Sequence, residues 1–237
     1  MARSALVLTL IAASVLLSGT FASRPVHAVN LLVTLDSAGD VGRWSSLELD
    51  SSGRPVVAYY DLSNGDLKIA RCGDALCSAG NTVVIADSAA DVGLYASLEL
   101  DSLDRPVVSY YDLSNGDLKI LRCGDATCSS GNSIVAPDTA GNVGKFTSLT
   151  LDSSQRPVVS YIVSYLDVTF DELKVMRCGN ATCSAGNSIN IVDGSRVAHT
   201  TIALDSTGRP YVWLPARASE RYAVHDLALR KPVLLGE

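Results

Sequence analysis

Trp44, Tyr95, Phe146 and His199 occupy one repeated place in this 237-residue chain, at intervals of 51, 51 and 53 residues. Flat aromatic faces brought to one location suit stacking on a sugar ring or another apolar ligand. Asp61 and Asp112 recur at the same interval, accompanied by Asn64, Asp66, Asn115 and Asp117. Carboxylate and amide oxygens of this kind accept hydrogen bonds from hydroxyl groups. The competing reading of the aromatics is a packing plug that fills a narrow interior.

Other residue sets point to structure more than to chemistry. Six cysteines fall as Cys72/Cys77, Cys123/Cys128 and Cys178/Cys183, each pair enclosing the pattern Cys-Gly-Asp/Asn-Ala-x-Cys. Six cysteines allow 15 pairings, and the recurrence favours a disulfide within each pair. A metal would need two such pairs, or cysteine with histidine, converging on one ion. The pairs here lie about 51 residues apart or more with no histidine beside them, so no metal site is expected. Asp61-Leu-Ser-Asn-Gly-Asp66 has the composition of a calcium loop but neither the glycine at its sixth place nor the glutamate at its twelfth. Asn-Gly hairpin chemistry accounts for the same residues. Asp50/Arg54, Asp101/Arg105, Asp152/Arg156 and Asp205/Arg209 are spaced to bridge one turn, and a grip on a carboxylate ligand is the alternative use of those arginines.

Catalysis finds little support, and no cofactor is expected. After residue 28 the only histidines are His199 and His225, and no Gly-x-Ser-x-Gly elbow is present. A glycosidase needs two carboxylates at a defined separation, yet nearly every acid follows the repeat. Asp171 and Glu172 are exceptions. They follow a four-residue insertion in which Val159-Ser-Tyr161 is echoed by Val163-Ser-Tyr165, and a loop that breaks a repeat is a candidate functional element.

The first 28 residues read as an export signal, with Arg3, an apolar run from Ala5 to Ala22, and Val26-His27-Ala28 as a cleavage site. A membrane anchor is the alternative for that run. Cleavage leaves residues 29–237, with 17 basic against 25 acidic side chains and a formal charge of −8. That field repels phosphate backbones, so nucleic acid is an unsuitable partner. Disulfides agree with a secreted, periplasmic or cell-surface location.

The elements that must position these residues follow from the repeat itself. Ser46-Leu-Glu-Leu-Asp50 returns as Ser97 to Asp101, Ser148 to Asp152 and Thr201 to Asp205, and each copy runs on into Arg-Pro and an apolar stretch. Segments of five to eight residues, rich in Val, Ile, Leu and Tyr and bounded by turn residues, predict strands. Four per copy make an antiparallel meander, a–b–c–d. A four-stranded unit of about 50 residues predicts a β-propeller blade. The chain is therefore expected to be all-β, with about four blades near 43–93, 94–144, 145–197 and 198–237. Asn30 to Asp36 matches strand d and is expected to complete the last blade and close the fold, with Lys231 to Glu237 as the alternative strand d of that blade. The alternatives are a homodimer completing a larger propeller and a truncated larger propeller. The aromatics fall just before each strand a, at the rim shared by the d–a and b–c turns. The Asp–Arg and cysteine features fall at the opposite rim.

The motif Ser-Leu-x-Leu-Asp-x-x-x-Arg-Pro-Val-Val-x-Tyr-Tyr-Asp-x-x-Asn-Gly-Asp-Leu-Lys resembles repeats of secreted bacterial β-propellers of the sialidase-like and lectin-like kind. The sialidase Asp-box, Ser-x-Asp-x-Gly-x-x-Trp, is absent. The resemblance implies a propeller and leaves activity open. The expected function is a secreted, non-catalytic module that binds glycan or an extracellular protein surface through Trp44, Tyr95, Phe146, His199, Asp61 and Asp112. A sialidase-like glycoside hydrolase and a purely structural assembly unit are the alternatives.

Overall fold

The structure is a computed structural model that describes residues 32–164, 172–193, 199–214, 223–226 and 231–234. The expected export signal lies outside the described residues, as does Asp171. Four antiparallel sheets of four strands each follow the chain in order. The first contains β1 (Val41–Leu49), β2 (Pro55–Asp61), β3 (Asp66–Arg71) and β4 (Thr82–Asp87). The second contains β5 (Val92–Leu100), β6 (Pro106–Asp112), β7 (Asp117–Arg122) and β8 (Ser133–Asp138). The third contains β9 (Asn142–Leu151), β10 (Pro157–Ser164), β11 (Glu172–Arg177) and β12 (Ser188–Asp193). The fourth contains β13 (Thr201–Leu204), β14 (Pro210–Leu214), β15 (Ala223–Asp226) and β16 (Lys231–Leu234). These are the blades of a β-propeller, and the described residues contain no helix.

The expected role of Asn30 to Asp36 needs correction. The fourth blade takes β16 as its outer strand, in line with the alternative reading of Lys231 to Glu237, and residues 32–36 do not complete it. Residues 32–40 carry no strand pairing.

Each turn is set by one side chain. Asp50 accepts hydrogen bonds from the Ser52 and Arg54 amides through Oδ1 and pairs with Arg54 Nε through Oδ2 (2.7 Å). Asp101 and Asp152 repeat this with Arg105 and Arg156. The b–c hairpin is a four-residue loop in which Asp61 accepts from the Ser63 and Asn64 amides and Gly65 takes a left-handed φ of 75°.

The cysteines bond within each short loop, Cys72 to Cys77, Cys123 to Cys128 and Cys178 to Cys183. The loops are more than plain staples, because the second cysteine of each lies in the left-handed region. Cys77, Cys128 and Cys183 have φ values of 53°, 56° and 53°, a conformation that local preference does not favour for a residue with a Cβ. Both backbone groups of each are held in place. The Cys77 amide donates to the Asp74 carbonyl, the Cys128 amide to that of Asp125 and the Cys183 amide to that of Asn180. Asn81, Asn132 and Asn187 in turn donate through Nδ2 to the carbonyls of Cys77, Cys128 and Cys183.

The blades are joined by apolar packing and by buried charge. Strands a lie side by side, β1 on β5, β5 on β9 and β9 on β13. The first junction buries Val56, Ala58, Leu67 and Ile69 of one blade against Val92, Leu98, Val108, Tyr110 and Leu121 of the next. The second repeats the pattern with Val107, Leu118 and Ile120 against Val143, Leu149, Val159 and Tyr161. At the outer end of the first two junctions an aspartate closing strand d receives a tyrosine and a lysine from the following blade. Tyr110 Oη donates to Asp87 at 2.7 Å and Lys119 Nζ at 2.6 Å. Tyr161 and Lys174 do the same to Asp138. Tyr59 and Lys68 do so to Asp36, which therefore occupies the place of a preceding blade's last residue. The Ala38 amide, the Tyr59 hydroxyl and Lys68 hold the Asp36 carboxyl down to about 2. Burial, followed by the charge of Asp87, pushes the Tyr110 hydroxyl far above the ordinary tyrosine range.

At the other rim Arg71 pairs with Asp50 and also donates to the backbone carbonyls of Asp104 and Ala126 in the second blade. Arg122 repeats these contacts with Asp101, Gln155 and Ala181.

Removing an acceptor strands its donors. Asp87→Ala leaves Lys119 buried, with only Asp112 at 3.7 Å, and should cost about 3–5 kcal/mol. Tyr110→Phe removes one hydrogen bond and should cost roughly 1 kcal/mol. Urea unfolding monitored by circular dichroism tests both values and their order.

Candidate functional site

The four repeated aromatic positions come together in the fold. Trp44, Tyr95, Phe146 and His199 form one continuous row, with ring-centroid distances of 5.0, 4.3 and 4.7 Å. With Ser45, Ala96, Thr147 and Thr200 they line an open depression of about 200 Å³. Trp44 and His199 are exposed and the two middle rings are half-buried. They pack on one another and still present surface to solvent.

The repeat pattern puts these residues just ahead of strand a, whereas Trp44, Tyr95 and Phe146 lie inside it at a β-bulge. Register slips between Arg43 and Ser46 in β1 and between Leu94 and Ser97 in β5. Trp44, Tyr95 and Phe146 take left-handed φ values of 47°, 56° and 51°. For a bulky residue this conformation costs on the order of 1–3 kcal/mol and persists only where its surroundings enforce it. Those surroundings are visible. The Thr147 hydroxyl donates to the Tyr95 carbonyl at 2.8 Å, and the Thr200 hydroxyl to the Phe146 carbonyl at 3.1 Å. Beneath the row Trp44 packs on Tyr60 and Tyr95 on Tyr111. Those tyrosines are fixed through hydroxyl bonds of 2.6 Å to Asp91 and Asn142. A bulge re-aims a side chain that a regular strand would turn into a blade junction. Here it turns three rings toward the rim.

The rims divide as the repeat implies. Gly65 O accepts from Val92 N and Gly116 O from Val143 N, so the b–c turns sit beside the d–a turns at the aromatic end. The polar residues expected to assist the aromatics are not available to a ligand. Asp61 and Asp112 are buried at 0 and 2 % exposure. Asp61 binds Lys68 at 2.8 Å and Asn64 Nδ2 at 2.9 Å, and Asp112 binds Asn115. Their oxygens serve their own turns and the lysine beneath. Glu172 lies half-buried at the start of β11, opposite Val163. The disulfide loops that end at Cys77, Cys128 and Cys183 follow strands c, at the c–d turns, and contribute nothing to the aromatic row.

A carboxylate pair escaped the sequence reading because it follows the repeat. Glu48 and Glu99 share one phase on β1 and β5. Burial, with a smaller effect of the Glu48 charge, pushes the Glu99 carboxyl up to about 7. Burial alone raises Glu48. The pair sits four residues down strand a from the aromatic row, on the order of 13 Å for an extended strand. Among the described residues no group of three or more metal-ligating side chains converges.

Burial favours the neutral form of Glu99, so the folded chain holds that proton more tightly than the unfolded chain does. The resulting stabilisation is complete below the ordinary glutamate range and is lost as pH rises through about 7. Glu99→Gln should therefore leave stability at pH 4.5 nearly unchanged and raise the melting temperature at pH 8 by roughly 2–4 °C, about 1 kcal/mol after discounting for partial solvation. Thermal melts of both proteins across that pH range test it.

No protein-family model matches the chain, and no curated protein sequence does. Solved structures do match it. A thermostable family-43 glycoside hydrolase aligns with a TM-score of 0.48 and 11% identity, over 81% of this chain and 70% of that one. An α-L-arabinofuranosidase from Lactobacillus brevis gives 0.44 and 12%, over 77% and 65%. A GH43 endo-arabinanase from Bacillus licheniformis gives 0.43 and 13%, over 81% and 73%. The likeness is one of fold, and no residue role is carried across. The resemblance of the repeat motif to sialidase-like and lectin-like propellers likewise holds for the architecture alone.

Proposed function

We propose that this chain is a secreted carbohydrate-binding module that works without catalysis, taking one sugar ring of a glycan at the aromatic depression. The observation that carries this reading is the row Trp44–Tyr95–Phe146–His199, held partly open at the rim by left-handed bulges. A packing plug needs no strained backbone and no exposed tryptophan, while a stacking platform needs its rings aimed outward and fixed in place. The polar edge of a sugar remains in water and its apolar face covers the rings. The depression of about 200 Å³ is smaller than the roughly 300–1,000 Å³ of sites that engulf a drug-sized ligand. It suits a single ring at the end of, or projecting from, a longer chain. Three disulfides agree with an exported protein.

The distance between the row and the Glu48–Glu99 pair favours binding over turnover. A ring stacked at the rim lies well above those carboxylates, and Asp61 and Asp112 are committed to their turns.

The chain has two tryptophans, Trp44 and Trp213, so a bound sugar should alter Trp44 fluorescence directly. Glycan-array screening followed by fluorescence titration should find a saturable ligand. Trp44→Ala and Tyr95→Ala should each weaken it about tenfold, equivalent to about 1.4 kcal/mol. An array without a hit, or affinity unchanged in both variants, rejects the reading. Turnover of a chromogenic glycoside that Glu99→Gln abolishes would replace it with hydrolysis.

A further inference from the structure

The blade junctions share one pattern, so the repeat shows what each blade face is shaped to meet. The back of one blade packs on the front of the next. The front contributes Leu98 in the second blade, Leu149 in the third and Ile202 in the fourth, all buried. At the same place in the first blade, Leu47 is 57% exposed and its neighbour Leu49 58%. Backbone approach shows the same contrast. A Cβ added to Gly93 would stand 2.9 Å from Leu67 Cα of the preceding blade, and one on Gly144 2.6 Å from Leu118 Cα. A Cβ added to Gly42, which has the same phase, would meet no other described residue within 4 Å. Residues 33–36 cover the outer end of this front face and leave its inner strands open.

Two features identify what fits there. The first is size. The back-face position filled by Ala58, Ser109 and Ser160, all fully buried, holds Trp213 in the fourth blade, where it is 37% exposed. Across the second and third junctions Ser109 meets Thr147 and Ser160 meets Thr200 through their hydroxyls. The residue of that phase on the open front is Ser45, and beside it lies a cavity of about 370 Å³ walled by residues 33–36 on one side and by Val41, Gly42, Val57, Tyr59 and Ala70 on the other. A large ring stands where the other blades carry small residues, and a hollow stands where its counterpart would be.

The second feature is a hydrogen-bond series. Ser46 Oγ accepts from Leu98 N, Ser97 Oγ from Leu149 N and Ser148 Oγ from Ile202 N, at 3.0, 3.0 and 3.1 Å. The next hydroxyl of the series is exposed Thr201, and the matching backbone donor is Leu47 N–H. Among the described residues nothing of the fourth blade covers Gly42 or Leu47 on the open front.

We propose that the back of the fourth blade docks on the open front of the first blade of a second copy, with Trp213 of one copy filling the cavity beside Ser45 of the other. The junction is the one already present three times in each chain, with a larger knob and a larger hole. Two copies make it twice, head to tail, and a pair related by a two-fold axis satisfies both open faces.

Light scattering on the exported form of the chain at micromolar concentration should give twice the monomer mass. Leu47→Asp, a change on an exposed side chain, should halve that mass and leave the circular dichroism spectrum unchanged. Ser45→Cys with Trp213→Cys should give a covalent dimer on a non-reducing gel. A monomeric mass for the unaltered chain, a dimer that Leu47→Asp does not dissociate, or a cross-link confined to single chains each overturns the proposal. Glycan titration of the Leu47→Asp monomer separates this assembly from the binding site at the rim.

Discussion

Each of the first two blades ends its outer strand on an aspartate that the following blade buries against a lysine ammonium and a tyrosine hydroxyl. A carboxylate moved out of water costs several kcal/mol unless opposite charge and hydrogen bonds surround it. Asp87 and Asp138 are so surrounded only when the next blade is in place, because both donors come from that blade. Such a blade therefore cannot satisfy its own last residue. This makes the junction, more than the single sheet, the unit of stability, as is usual for repeat architectures. Asp36 shows the dependence from the other side. The first blade has the tyrosine and lysine, and a non-strand segment supplies the carboxylate that a preceding blade would bring.

With the outer ends tied, the inner strands are set by shorter-range contacts. Serine hydroxyls link each strand a to the next, and threonine hydroxyls hold the carbonyls of the left-handed aromatic residues. The strain at Tyr95 and Phe146 is thus offset by bonds from the following blade. The aromatic row exists as a surface feature because the junctions align three bulges.

The repeat made much of the fold legible. Strand identity, the meander order and the three disulfides follow from the spacing of Leu, Val and Cys within one unit, since those are local properties of sequence. The pairing of Cys77, Cys128 and Cys183 with their neighbours was legible in this way. Their left-handed backbone was not, because local preference opposes it, and the recurrence of Asn81, Asn132 and Asn187 does not by itself show that their side chains hold the cysteine carbonyls. The phase of Trp44, Tyr95, Phe146 and His199 was legible for the same reason as the disulfides. The bulge was hidden, because a left-handed aromatic residue contradicts local preference and Tyr95 and Phe146 are held by threonines 52 and 54 positions away. Asp61 and Asp112 looked like ligand groups because turn aspartates are usually exposed. Here Lys68 and Lys119 cross beneath them and draw them into the interior. Arg71 and Arg122 recur before the first cysteine of each pair, but that they tie one blade's carboxylate to the next blade's backbone depends on how the blades pack.

The order of residues along the chain is enough to dictate the architecture: all-β, built of repeated four-stranded units, stapled by local disulfides. It also sets an aromatic residue at one place in each of three units and a histidine in the fourth. Period-two apolar patterning and turn chemistry act over a few residues, and repetition multiplies their signal. Two features emerge only once the blades are packed. The rings form a row with solvent access, and Glu99 holds its proton near neutrality. Each of these depends on which surfaces lose water when one strand or blade is laid against another. That is a property of the packed surfaces, and no stretch of the chain read alone contains it.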